Sequence, residues 1–255
     1  MKTIDITEIA SSAFIISDFD GTLSEIVTTP ATAVFVDGAV EVLLSLTQKF
    51  KSVSILSGRP SSFILELISH TEYKDDPRVK NLNIYGLYGN ELLLEKEELK
   101  DLIRSVYLHL RSELEDSVFV EDKILSVAVH YRNCEDKKGE IQALVRKIIS
   151  LNPNLYEMDA KKCFEIIPSV FVNKSFIVGN FLRESDGGCY LGDDLVDLEV
   201  FKLLKDTKDK VTVSVGVRGN ETPQELLETA DFVVDGPNGA LEFLKKLDED
   251  SIVRK

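Results

Sequence analysis

Asp18 and Asp20 stand two residues apart at the end of a short apolar run, and few pairs in this chain are better placed to do chemistry. Side chains alternate along an extended strand, so positions i and i+2 point the same way. Two carboxylates aimed together repel unless a cation or a proton lies between them. Such a pair suits a division of labour: one carboxylate as magnesium ligand and nucleophile, the other handling protons. Gly21 lets the chain turn sharply beneath a phosphate, and Thr22 adds a hydroxyl and an amide. A second cluster, Ser57-Gly58-Arg59, offers a hydroxyl and a flexible backbone amide suited to cradling phosphate oxygens. A third supplies Asp193, Asp194 and Asp197. Carboxylates alone make an all-oxygen cation site, which favours magnesium over zinc. Lys174 precedes this last cluster and can neutralise both Asp18 and a phosphate.

Each cluster by itself is an ordinary turn or helix cap. The case rests on the elements that carry them. Residues 13–16 read as a buried strand running into Asp18, 53–56 as a second running into Ser57, and 189–191 as a third running into Asp193. Further strands are expected at 83–88, 211–215 and 232–234. Helices are expected at 38–50, after Ser61 or Ser62, and at 176–182, 223–228 and 239–247. Strands alternating with helices predict an α/β fold with a doubly wound, mostly parallel sheet, whose sites lie at the carboxyl ends of its strands. The rhythm changes in the middle third. A charged helix at 92–114, strands at 118–132 and 163–167, and a helix at 138–151 read as an inserted α+β domain. The expected division is a core of 1–88 and 172–255, with an inserted cap of 89–171.

Composition narrows the partners. A formal net charge of -14, from 44 acidic and 30 basic residues, argues against nucleic acid, because the average field repels polyanions. A small phosphorylated metabolite remains compatible, since a few lysines and a divalent cation reverse the field locally. Cys134, Cys163 and Cys189 are far apart and form neither a disulfide framework nor a zinc pattern. The apolar stretch near the N-terminus is too short for a signal sequence or a membrane span, so the expected location is the cytoplasm.

Together, Asp18-Phe19-Asp20-Gly21-Thr22-Leu23, Ser57-Gly58-Arg59, Lys174 and Gly192-Asp193-Asp194-Leu195-Val196-Asp197 resemble the four motifs of haloacid dehalogenase-like phosphatases. The likeness implies Asp18 as nucleophile and Asp20 as general acid and then base. Ser57 and Lys174 would hold the phosphoryl group. Asp18, the backbone carbonyl of Asp20 and Asp193 would bind Mg2+, supported by Asp194 and Asp197. Over nearly its whole length the chain also resembles the trehalose-6-phosphate phosphatase family. The stretches are 86–91, Val120-Glu121-Asp122-Lys123, His130-Tyr131-Arg132 and Phe164-Glu165-Ile166-Ile167-Pro168. It departs from the pattern at Tyr88, where histidine is common, at Ser175, and at Leu198, where an acid is expected.

That second likeness implies a cap whose charged residues, Glu121, Lys123, Arg132, Lys161 and Glu165, grip sugar hydroxyls. Period-two alternation agrees in part. It puts Lys161, Cys163 and Glu165 on one strand face, with Phe164 and Ile166 on the other, and Ser126, His130 and Arg132 on a common face. Continued backwards, the same alternation sends Glu121 and Lys123 to the wrong side. A hairpin turn near Asp122-Lys123 is therefore expected, leaving both at the rim. The expected reaction is hydrolysis of trehalose 6-phosphate. The rivals are another sugar phosphatase (sucrose or mannosyl phosphate), a phosphomutase, and a silent sugar-phosphate-binding module. A trehalose-phosphate synthase is a candidate partner; no residue pattern speaks for it, for a membrane or for an oligomeric state.

Overall fold

The computed structural model describes residues 6–160 and 162–249. Ten strands and eight α-helices follow one another among these residues. The chain opens with β1 (Ala13–Ser17), α1 (Ala39–Leu46), β2 (Ser52–Leu56), α2 (Ser61–Ser69) and β3 (Leu82–Tyr85). The middle third holds α3 (Glu97–Glu113), β4 (Phe119–Asp122), β5 (Val127–His130), α4 (Lys138–Leu151), β6 (Leu155–Ala160) and β7 (Cys163–Pro168). The last third holds α5 (Lys174–Glu184), β8 (Gly187–Gly192), α6 (Leu195–Asp206), β9 (Val211–Arg218), α7 (Gln224–Thr229), β10 (Phe232–Asp235) and α8 (Gly236–Asp248). No helix among the described residues is long and apolar enough to cross a membrane. The chain forms two compact units: Met1–Gly89 with Asn173–Lys255, and Asn90–Val172.

In the first unit six strands form one sheet in the order β10-β9-β8-β1-β2-β3, and every pairing is parallel. Strand β1 is buried along its whole length because helices cover both sides of it. Its odd residues, Ala13 and Ile15, join a core with α1, α2 and α8. Its even residues, Phe14 and Ile16, join a second core with α5, α6 and α7. This is the doubly wound arrangement. From β1 the chain builds the sheet outward through β2 and β3, then returns to β1's other side to lay down β8, β9 and β10. The β8/β1 junction is therefore the point where strand order reverses, which is where open α/β sheets place their sites.

The second unit has an antiparallel sheet in the order β4-β5-β7-β6. Helix α3 presents Ile103, Val106 and Leu110 at helical spacing, and α4 presents Ile141, Val145 and Ile148. These pack with Val120, Val127, Val129, Phe164 and Ile166 into a separate core. Three details differ from the sequence reading. Residues 91–95 form a 3-10 turn, so the helix expected from 92 begins only at Glu97. Strand β6 has no counterpart in the expectations, because Glu157 and Met158 blur its alternation. Third, the hairpin expected near Asp122-Lys123 joins β4 to β5, with Lys123 N–H bonded to the Ser126 carbonyl at 2.9 Å, but it does not leave Glu121 at the rim. The turn resets the parity. Val120 pairs with Val129 on the core side, so Glu121, opposite Ala128, shares the other face with Glu165. Glu121 thus lies within the strand rather than at a rim, while Lys123 sits in the turn.

Candidate active site

The three motif-bearing strands are neighbours, in the order β8-β1-β2. Parallel pairing aligns their carboxyl ends, so Asp18, Ser57 and Asp193, far apart in sequence, each follow the end of one of three adjacent strands. Asp18 N–H donates to the Leu191 carbonyl at 2.9 Å, extending the β1–β8 ladder by one residue into the site. Carboxylate oxygens of Asp18, Asp193 and Asp197 lie within 4.8 Å of one another, all three residues being buried. Lys174, at the first position of α5, reaches Asp18 Oδ1 at 2.9 Å and Asp197 Oδ1 at 2.8 Å.

Asp197 is the hub. It is the third residue of α6, whose N-terminal Asp194 makes a reciprocal capping box with it. Oδ2 of Asp197 accepts the N–H groups of Asp193 and Asp194 at 3.0 Å each, and Oδ1 accepts the Tyr190 hydroxyl at 2.6 Å as well as Lys174. Two glycines leave the room this needs. A Cβ on Gly192 would stand 2.4 Å from Asp197 Cγ, and one on Gly21 2.3 Å from Asp193 Oδ2. Gly21 also sits at φ +82°, where side chains are strained.

The charges are far from their ordinary states. Burial holds the Asp18 carboxyl well above the usual carboxylate range; Lys174 opposes this, and Asp197 and Asp193 reinforce it. Burial alone would strip the Lys174 ammonium of its proton, but Asp18 and Asp197 outweigh it and hold the lysine above its ordinary range. A divalent cation meets this environment on two counts. The donors are oxygens, as Mg2+ requires, and three buried carboxylates lie within 4.8 Å of one another, a concentration of negative charge that Lys174 only partly offsets at Asp18. Asp18 and Asp193 are placed to hold such an ion. Asp197, with two donors on each oxygen, is placed to hold the loop.

Other candidates lie nearby. Arg59 grips Asp20 with both ends of its fork (Nε to Oδ2 and Nη2 to Oδ1, each 2.7 Å). Its Nη1 donates to the Pro30 carbonyl at 2.6 Å, and its guanidinium lies 4.4 Å over the Phe63 ring. The sequence reading assigns Arg59 to the phosphate; here its nitrogens are engaged with Asp20 and Pro30. Ser57 is buried, with its Oγ accepting the Arg59 N–H at 3.1 Å. Thr22 is buried as well, and its hydroxyl has no hydrogen-bond partner. Tyr88 packs its ring against Gly58, where a Cβ would come within 2.7 Å, and lies 5.9 Å from Lys174 Nζ. It holds this place from a left-handed backbone at φ 57°.

In the inserted unit the structure brings Lys123, Ser126 and Glu165 together. Glu165 is buried and accepts Ser126 Oγ at 2.5 Å and Lys123 Nζ at 3.1 Å. Burial would discharge Lys123, but Glu165 and Glu121 outweigh it and hold its proton more tightly than usual. Glu121 Oε2 pairs with His130 Nε2 at 2.9 Å, and the His130 ring lies 5.1 Å from that of Phe119. Arg132 follows β5 and is partly exposed. Lys161 lies outside the described residues. The sequence reading takes Tyr190 only as a strand residue, and no chemical spacing marks its hydroxyl as a partner of Asp197.

This sheet order and site geometry define the haloacid dehalogenase-like fold. The C-terminal domain of Candida albicans trehalose-6-phosphate phosphatase shares it, with a TM-score of 0.71 at 20% identity over 94% of this chain and 93% of that one. The family model described as Trehalose-phosphatase matches residues 16–73 and 93–233, and the chain belongs to that family. A probable trehalose-phosphate phosphatase 2 of Oryza sativa subsp. japonica is 28% identical over 261 residues, covering 90% of this chain and 66% of the relative. The trehalose-phosphate phosphatase of Mycolicibacterium paratuberculosis is 30% identical over 251 residues, covering 90% of this chain and 60% of the relative. The chain thus spans less than two thirds of either relative's length, and only 18% of a Mycobacterium tuberculosis relative described as an uncharacterized glycosyl hydrolase, to which it is 29% identical over 251 residues.

Proposed function

We propose that this chain hydrolyses trehalose 6-phosphate to trehalose and inorganic phosphate, with Asp18 as nucleophile and Mg2+ as cofactor. The observation that carries the reaction is the buried contact of Lys174 with Asp18 at 2.9 Å beside Asp193. A carboxylate pinned by an ammonium at the switch point of a parallel sheet is positioned for in-line attack, and phosphoryl transfer asks for little more than positioning and charge neutralisation.

In the first step an Asp18 carboxylate oxygen bonds to phosphorus as the bond from phosphorus to the sugar oxygen breaks. Asp20, in its acid form, gives its proton to the departing oxygen, which requires its side chain to come off the two Arg59 donors that hold both its oxygens in this structure. In the second step water attacks phosphorus and its proton passes to the Asp20 carboxylate. The bond between phosphorus and Asp18 breaks, restoring the carboxylate and releasing phosphate. Lys174, Ser57 and the Gly58 amide receive the phosphoryl oxygens; the Gly21 and Thr22 N–H groups, assigned to the phosphate in the sequence reading, donate instead to the Ser24 and Phe19 carbonyls of their own turn. A magnesium ion held by Asp18, the Asp20 carbonyl and Asp193 would neutralise the charge that gathers where nucleophile and phosphate meet.

The sugar assignment is supported by family membership and by the charged residues of the inserted unit, Glu121, Lys123 and Glu165. It is tested by measuring phosphate release, with Mg2+ present, from the 6-phosphates of trehalose, glucose, sucrose and mannose. Trehalose 6-phosphate is expected to give the highest kcat/KM. A higher value for another sugar would replace the substrate and leave the mechanism; no release from any would remove the proposal.

A further inference from the structure

Tyr190 belongs to none of the motifs, and its phenol is wholly buried between β8 and the helices behind it. The ring packs edge-on to Phe201, centroids 6.2 Å apart, in a cluster with Phe14, Ile16 and Val200. A phenylalanine would fill that space equally well. The hydroxyl is the part that packing leaves unexplained, and a buried hydroxyl needs a polar partner. Its partner is Asp197 Oδ1, at 2.6 Å.

The same oxygen accepts the Lys174 ammonium at 2.8 Å, and that ammonium lies 2.9 Å from Asp18. The other oxygen holds the N–H groups of Asp193 and Asp194. One buried carboxylate therefore sets the direction of the lysine beside the nucleophile and the turn that carries a candidate cation ligand. Gly192 packs so closely that its absent Cβ would lie 2.4 Å from Asp197 Cγ, so the carboxylate is gripped from below as well. Without the phenol proton, Oδ1 would face an apolar ring on one side. It would then turn toward its remaining donor and draw Lys174 off Asp18, or tilt and release the Asp193–Asp194 turn.

We infer that Tyr190 is a positioning residue for the reaction: acting through Asp197, its hydroxyl holds Lys174 on Asp18 and fixes the turn that carries Asp193. This inference rests on the proposed function. It concerns preorganisation, so the loss should fall on turnover more than on substrate affinity.

Two variants test it. Tyr190→Phe removes the hydroxyl and keeps the ring; Phe201→Leu disturbs the same packing and keeps the hydroxyl. Hydrogen bonds to charged groups are among the stronger ones, so Tyr190→Phe is expected to lower kcat for trehalose 6-phosphate about tenfold, with KM within about threefold. By titration calorimetry its Mg2+ affinity should fall at least about threefold, less than the roughly 10–100-fold lost when a ligand's own supporting partner is removed, because Tyr190 acts through Asp197 rather than on a ligand directly. Phe201→Leu should lower the melting temperature while moving kcat and Mg2+ affinity less than about twofold. The inference is overturned if Tyr190→Phe keeps both quantities within about twofold of the unmodified protein, or if Phe201→Leu reproduces both losses. If the unmodified protein releases no phosphate from any sugar phosphate, the proposed function falls and the Mg2+ titrations alone decide on Tyr190. An unmodified protein that takes up no Mg2+ overturns both.

Discussion

At Asp18, burial and charge pull in opposite directions. The fold places the residue inside, where the proposed nucleophile would be shielded from water, yet burial and the neighbouring carboxylates of Asp197 and Asp193 disfavour its ionised form. Lys174 offsets part of this, and a divalent cation would offset more. The sign of one experiment follows. Asp18→Asn keeps the size and removes the disfavoured charge, so it should abolish phosphate release. In a chelator, however, it should melt no lower than the unmodified protein. Lys174 keeps Asp197 as its partner in that variant, so no buried ammonium is left alone. Thermal melts with EDTA and a phosphate-release assay read both halves. Residual turnover would remove the covalent mechanism, and a lower melting temperature would mean that Asp18 is a net stabilising ion-pair partner of Lys174. Asp18, Ser57 and Asp193 were legible as candidates because three polar clusters, each ordinary alone, all follow apolar runs that read as buried strands. Tyr190 was not, since a tyrosine within a buried strand reads as core until its hydroxyl is seen to end on Asp197.

The elements carry the same residues for reasons of their own. Helix α6 begins on Asp194, whose Oδ1 accepts the Leu195 N–H at 2.6 Å, and Asp197 returns the contact in the capping box. Asp194 has two possible duties, capping the helix and supporting a cation, and side-chain chemistry separates them. Asp194→Ala removes both and should cost about 1 kcal/mol of stability together with much of the activity. Asp194→Ser restores the cap alone. If the residue serves through the helix, the serine variant should regain most of the lost stability and turnover, as measured by urea unfolding and phosphate release. Recovered stability without recovered turnover would move Asp194 into the cation site. Legibility at this scale follows burial. Strands β1, β2 and β8, covered by helices on both sides, show as continuous apolar runs, and their ends locate the site. Strand β6 is one edge of the second sheet, and the turn at Lys123 shifts alternation by one residue. Those are the places where periodicity in a single chain loses the register.

The two units have separate hydrophobic cores, one pair around the parallel sheet and one beneath the antiparallel sheet. A chain built this way has no reason to unfold in a single step. The candidate cation ligands Asp18 and Asp193 both belong to the first unit, and a ligand stabilises only the cooperative unit that holds it. Scanning calorimetry with Mg2+ at about one hundred times its Kd should therefore stabilise the first unit by about 2.7 kcal/mol. For a domain of this size that amounts to about 5–10 °C in its transition. The transition of the second unit should stay where it is. Asp193→Asn should abolish the shift, because an amide oxygen offers the ion no charge, whereas Glu165→Ala should leave the shift intact while it destabilises the second unit by stranding Lys123. A shift of equal size in both transitions would tie the units into one cooperative block. A shift that survives Asp193→Asn would place the cation elsewhere, and the roles argued for Asp193 and for the hub on Asp197 would have to be withdrawn with it.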